Sequence, residues 1–485
     1  MSRSVHTFLP KSKQVAGMAI GAFAMLAMAA PASAQEPTPD EVFTLTTIIG
    51  LNNTGLGNLT NHSPTFFSFD ISWFNFRNST FYLADRSNKS IDIFDPTGSG
   101  GGTFRQVVNP GFQGFTGNND TSGPDGVWDV NNHTEIWVGD TGGTCFPDPN
   151  PLCGPGVVWV LNTDGSVKNI GVPNPIPVGG TTRADEACYD AKHNLTMVAS
   201  PAEDPPFVTF ISGTNYKVVG KITFNGSGQN TPKATNGLEQ CGWSPLTGLF
   251  YQNVPEIDGD GHDTAPGGVS VIDPASVLSN SPTVMKTVTI PLANCAGPQG
   301  MAIGGNTSFG GNTILEGCNA ASPGGHRNTV ILDINTLAVV ATLADLGGDD
   351  EVWFNPGDGH FIVPSCNTAC RTANGGGAEV LGFIDALLMN SLDQSVTVAT
   401  QTPPVNPATS GNPRTIHSVA AASNTNAVFL PIPAVGGVAP QFGSSLCDQT
   451  AAPGVRVIGT TPVSSATGCI AILTTPAANN DAGLP

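Results

Sequence analysis

The sequence predicts an all-β fold, a seven-bladed β-propeller, on three observations. A strand-turn-strand pattern recurs seven times, the composition is rich in turn residues and poor in charge, and the copies follow one another at a period of about 50 to 65 residues. The copies are DISWFNFRNSTFYLAD from Asp70, DGVWDVNNHTEIWVGD from Asp125, EACYDAKHNLTMVAS from Glu186, QCGWSPLTGLFYQN from Gln240, QGMAIGGNTSFGGNTILEG from Gln299, EVWFNPGDGHFIVPS from Glu351 and HSVAAASNTNAVFLPI from His417. Each reads as two short strands around a polar turn. A third strand follows, as in SIDIFD, VVWVLN, FVTFIS, GVSVID, TVILDI and EVLGFID, and several copies add a fourth, such as KVVGKITF. With 59 Gly, 40 Pro and 11% charged residues, the composition belongs to turn-rich all-β proteins, and the repeat lets one domain hold the whole length.

Residues 1–34 read as a cleaved signal peptide: MSRSVHTFLPKSKQ carries only positive charge, VAGMAIGAFAMLAMAA is apolar, and PASA offers a small-residue cleavage site. Residues 35–42 read as a flexible N-terminus, 43–475 as the propeller and 476–485 as a flexible tail. The strand EVFTLTTIIGL has no copy of its own and is placed to close the ring beside GCIAILTT, removing an open sheet edge. No second apolar stretch is long enough to span a bilayer, so the expectation is a periplasmic or extracellular monomer. Eighteen basic residues fall to fifteen once Arg3, Lys11 and Lys13 leave with the signal, against 37 acidic ones. The net charge of about −22 argues against nucleic acid and anionic membranes as partners. Ten cysteines in an exported chain predict disulfides. Cys145/Cys153, Cys366/Cys370 and Cys447/Cys469 are candidate pairs, and Cys188 and Cys241 admit a disulfide, core-packed thiols or soft metal ligands.

The innermost strand of every blade lines the axis, so the residue that opens each copy falls on one ring at one mouth of the tunnel. Aligned on the aromatic that follows, that ring is Asp70, Asp125, Glu186, Gln240, Gln299, Glu351 and His417, with Glu239 competing with Gln240 through a one-residue shift. The ordinary reading of acids at strand starts is solvated turn residues. Against it stands a register that is polar in all seven copies. Carboxylates converging there repel one another unless a cation neutralises them, and oxygen-rich ligands favour Ca²⁺, with Mg²⁺ or Mn²⁺ as alternatives. The candidate metal ligands are Asp70, Asp125, Glu186, Glu239, Gln299, Glu351 and His417. His417, Glu186 and Asp185 are the candidates for proton transfer, Asp185 and Asp350 also serving as outer-shell groups, and His62 is a weaker candidate base on the same mouth. DGDGHD, Asp258 to Asp263, resembles a calcium loop but lacks Gly at the sixth position and Glu at the twelfth, so an ordinary acidic loop is the better reading. His133, His193 and His360 read as turn residues of the opposite face.

The blade cores quoted above resemble the lactonase-type propellers, a superfamily that includes the YncE-like (YVTN-repeat) proteins and the gluconolactonase/SMP-30 group, over nearly all of the mature chain. The likeness lies in the fold, since YDAKHNLTM and WSPLTGLFY stand where the YVTN turn would be. It implies a divalent cation at the tunnel mouth and hydrolysis of cyclic esters. The sequence therefore leads to an exported, metal-dependent lactone or ester hydrolase acting on a small molecule. A lyase at the same site and a non-catalytic propeller binding a carbohydrate or protein are the alternatives.

Overall fold

Alternating apolar positions in short strands, each ended by a tight polar turn, build seven separate sheets among the described residues, in sequence order and antiparallel in blades 1 to 5, while Phe442–Ser445 adds a fifth strand to blade 6 and blade 7 mixes strands from both ends of the described chain, one pair of them parallel. The computed structural model of the chain describes residues 42–51, 66, 68–96, 103–107, 111–141, 156–305, 313–320, 327–344, 346–348, 350–366, 378–386, 389, 392–401, 416–433, 442–458, 463–464 and 467–475. The fold is a single-domain seven-bladed β-propeller. The innermost strands, blade 1 to blade 7, are Ser72–Asn75, Val127–Val130, Ala187–Asp190, Cys241–Ser244, Ala296–Gly304, Trp353–Asn355 and Ala420–Ala422. Among the described residues, helix is limited to Pro274–Leu278 and two short 3-10 turns. None is long and apolar enough to cross a membrane.

The N-terminal strand Thr44–Ile49 closes the ring, pairing antiparallel with Cys469–Thr474 in blade 7, as the sequence predicts. Blade 7 thus combines both ends of the described chain, and Arg456–Ile458 extends it on the outer side of Thr44–Ile49. Blades 7 and 1 are sealed by aromatic packing: Phe429 stacks on Phe81 at 4.9 Å and on Phe74 at 5.4 Å between ring centroids. Beside the axis, the Ser72 amide donates to Ser418 Oγ at 2.8 Å.

The described disulfides are Cys188–Cys241, Cys295–Cys318 and Cys447–Cys469. They fit an exported propeller, since such bonds persist in oxidising compartments. Cys447–Cys469 is the predicted staple of the C-terminal region, and the Cys188–Cys241 bond decides among the three readings of those thiols. The Cys145/Cys153 and Cys366/Cys370 pairs include residues outside the described set, as do His62, the signal segment and the terminal tails.

Phe429 is fully buried at the closure seam. Phe429→Ala is expected to lower stability by about 3–5 kcal/mol in urea unfolding, the cost of a large cavity in a packed core.

Candidate functional site

The ring of polar residues exists, but the backbone register differs from the aromatic alignment in three blades. The amides of Asp70, Asp125, Asp185 and Glu239 donate to the carbonyls of Ala84, Gly139, Ala199 and Asn253 at 2.9–3.3 Å, one equivalent rung in blades 1 to 4. The next carbonyls, of Ile71, Gly126, Glu186 and Gln240, accept from those same second strands. Asp185 and Glu239, not Glu186 and Gln240, are therefore the counterparts of Asp70 and Asp125. In blade 6, Glu351 N donates to His417 O at 2.8 Å just as Ile71 N donates to Asp125 O at 3.3 Å, so Asp350 takes the ring position and Glu351 follows it. The aromatic is an unreliable ruler: Trp73 and Trp128 lie two residues before the end of their strands, whereas Tyr189 and Trp243 lie one before. Gln299 and His417 keep their places, five residues before the ends of their strands.

Two arginines that the sequence reading passed over organise the first half of the site. Arg86, in the turn after the second strand of blade 1, binds both Asp70 and Asp125, and its Nη1 donates to Asn119 Oδ1 at 2.6 Å. Arg183 Nη2 lies 2.9 Å from Asp185 and its Nη1 3.8 Å from Asp70. The segment carrying Arg183 and Asp185 reaches them because Gly126 and Gly139 have no side chains. A Cβ at either would collide with the carbonyl of Asp185 or Ala184. Asp70, Asp125 and Asp185 each bring an oxygen within 4.8 Å of the others, which is cation-site spacing, but guanidiniums already supply the positive charge there. The scarcity of basic residues, eighteen in the whole sequence, is a signal that each one matters, but it names no partner.

Burial alone would raise the Asp70 carboxyl, but Arg86, the hydrogen bond from His417 and Arg183 hold it well below the usual carboxylate range. Asp125 shares Arg86, yet burial and its acidic neighbours push it well up. Burial likewise carries Asp185 to about 7 against the pull of Arg183. His417 Nε2 stands 3.5 Å from Asp70 Oδ1, and its ring stacks on Phe69 at 4.3 Å with planes 6° apart. The imidazole is thus oriented by a carboxylate and clamped by an aromatic face, with its side chain 21% exposed.

The second half is dominated by acids. The carboxyls of Glu186 in blade 3 and Glu351 in blade 6 interact with each other across the axis. Both are pushed well up, first by burial and then by neighbouring acids that include Asp350. Glu239 is raised for the same reasons, with Asp350 and Glu186 its nearest repulsive partners, and Gln299 Nε2 donates to its Oε1 at 3.2 Å. Two carboxyls in contact cannot both ionise cheaply, so such a pair holds a proton or a cation. Buried oxygens without a hydrogen-bond partner remain on Glu351 (Oε1), Asp185 (Oδ1) and Asp125 (Oδ2). Gln240 is engaged elsewhere: its Oε1 accepts from the amides of Met301 and Val352, and its Nε2 donates to Val352 O at 3.3 Å.

The acidic loop at Asp258 to Asp263 is organised by an anion. Glu256 accepts from the amides of Gly261, Thr264 and Ala265 and from the Thr235 hydroxyl. Burial would raise its carboxyl, but these donors hold it down to about 2. His133 and His193 sit in first-hairpin turns, as the sequence predicts, each with Nδ1 2.6 Å from an aspartate, Asp129 and Asp190.

No protein-family model matches the chain, and no curated protein matches it in sequence. Among solved structures it is similar to the RRP9 WD40 repeats, at 9% identity and TM-score 0.49, over 90% of this chain and 100% of that one. It is similar to a chain of a mitotic checkpoint complex at 11% identity and TM-score 0.46, over 81% and 93%. It is also similar to a chain of the Kuenenia stuttgartiensis hydrazine synthase at 11% and 0.46, over 76% and 92%.

Arg86→Met is expected to cost about 3–5 kcal/mol at neutral pH, because it strands buried carboxylates. Asp70 has a lowered folded value, so its stabilisation is present above the unfolded value and lost as pH falls. Calorimetry across pH should therefore show the gap between wild type and Arg86→Met narrowing as pH drops through about 4.

Proposed function

We propose that this is an exported propeller hydrolase that opens lactones or related esters at the axis mouth, using a divalent cation, calcium first, held by Glu186, Glu239 and Glu351. The observation that carries the reading is the buried Glu186–Glu351 contact with an unpartnered Glu351 Oε1 beside it. The donor set is all oxygen, which suits Ca²⁺ better than a thiolate-loving metal. Asp70 and Asp125, also candidates from the sequence, give oxygens to Arg86 and so support the site from its other half. The resemblance to lactonase-type propellers agrees with this assignment and supplies the ester substrate class.

A cation at that position supplies Lewis-acid polarisation of an ester carbonyl. The chain's own groups do the rest. Asp70 fixes which ring nitrogen of His417 keeps its proton and Phe69 fixes the ring plane, the orientation a general base needs. Asp185, near 7, is poised to exchange a proton close to neutral pH, next to the Glu186 carboxyl that burial and its acidic neighbours push well up.

A second reading, the non-catalytic binding propeller, is favoured by one observation: Gln240 and the arginines commit side chains to bridging blades around the axis. That reading expects a mouth that keeps no metal through dialysis and turns over nothing in an ester panel.

Elemental analysis of the dialysed protein should find a divalent cation, and adding calcium to chelated protein should raise Tm. Glu351→Gln should abolish that response, and His417→Ala should lower ester turnover about 10²–10⁴-fold with the metal retained. A metal-free protein indifferent to calcium and inert towards the panel would sink the proposal.

The raised acids also set a pH dependence. A carboxyl raised on folding stabilises fully below its unfolded value, about 4, and that stabilisation is lost as pH rises through its folded value. Cation-free protein should therefore lose Tm as pH rises above about 4, and Glu351→Gln should flatten the slope.

A further inference from the structure

A closed circuit of contacts joins the two ends of the Glu186–Glu351 pair. Glu186 lies two residues before Cys188 on the innermost strand of blade 3, and Cys188 is bonded to Cys241 on the innermost strand of blade 4, with Cα atoms 5.7 Å apart. Gln240, next to Cys241, then reaches past blade 4. Its Oε1 accepts from Met301 N of blade 5 and, at 3.1 Å, from Val352 N of blade 6, while its Nε2 donates to Val352 O. Val352 follows Glu351, whose carboxyl returns to Glu186.

We propose that the Cys188–Cys241 disulfide and the Gln240 side chain form a positioning strap that holds Glu186 and Glu351 against each other across the axis. The physical need is plain. Two carboxyls kept side by side out of water share a proton or a cation only at a fixed separation, so the strands that carry them need a directional restraint. A covalent bond between blades 3 and 4 and three hydrogen bonds from one amide to the backbone of blades 5 and 6 supply the directional restraint. The other described disulfides do not do this. Cys295–Cys318 lies within blade 5, and Cys447–Cys469 joins the outer edge of blade 6 to blade 7, away from the innermost strands.

The strap deepens the proposed cation site and rests on that reading for its effect on affinity, but not for its own existence. The test compares wild type, Cys188→Ala/Cys241→Ala, Gln240→Leu and, as a control, Cys447→Ala/Cys469→Ala. Terbium serves as the probe cation, and amide hydrogen exchange is followed at Met301 and Val352. In Gln240→Leu and in the Cys188/Cys241 variant, these two amides should exchange about 10-fold faster and terbium affinity should fall about 10-fold or more. The control should lose thermal stability with terbium affinity and both amides unchanged, which separates positioning from general stabilisation. If the Cys188/Cys241 variant does not fold, Gln240→Leu carries the same two readouts. Unchanged exchange and affinity in Gln240→Leu, or an equal loss of affinity in the control, would overturn the strap. Absence of terbium binding by wild type would overturn the proposed cation site instead, leaving amide exchange to decide the strap.

Discussion

The Arg86 guanidinium, lying between the carboxylates of Asp70 and Asp125, is the contact on which the centre of this propeller depends. All three groups are buried, and an ionic group taken out of water is tolerated only when paired and hydrogen-bonded. One side chain therefore ties a turn of blade 1 to the innermost strands of blades 1 and 2. Arg183 extends the network to Asp185 and, through Asp70, to His417 of blade 7. Blades that also meet through apolar packing gain a charged hub whose geometry is directional.

The hub is lopsided, and the asymmetry gives the axis a chemical character. Around blades 1, 2, 3 and 7, guanidiniums balance carboxylates and an imidazole is held in one orientation. Towards blades 3 to 6, Glu186, Glu239, Asp350 and Glu351 act on one another, and a proton or a cation would relieve their repulsion. A symmetric ring of acids would have been a simple repulsive funnel. The observed division places an oriented His417 on the balanced side and a cluster of buried acids on the other.

Much of this was legible in the amino-acid order. The seven copies, the closing strand at Thr44–Ile49 and the Cys447–Cys469 staple follow from local patterns, because strand periodicity and turn chemistry are local properties. The polar ring was legible as a register, and Asp70, Asp125, Gln299 and His417 hold the places it implied. Asp185, Glu239 and Asp350 displaced their sequence neighbours because the aromatic used for alignment slides by one residue between blades, and only hydrogen bonding to the second strand fixes the true rung. Arg86 was missed because nothing in ADRSNKS announces a partner 39 residues away at Asp125.

By itself, then, the sequence determined the architecture, the composition of the axis and its polarity, since repeat number, strand alternation and residue type are written into the order of the chain. Tertiary structure decided which charges meet. The pairing of Arg86 with two aspartates, the Glu186–Glu351 contact across the axis and the Cys188–Cys241 bond between blades all join residues distant in the chain. Their proximity is set by closure of the ring, which brings strands from opposite blades to a common centre regardless of how far apart they lie in sequence.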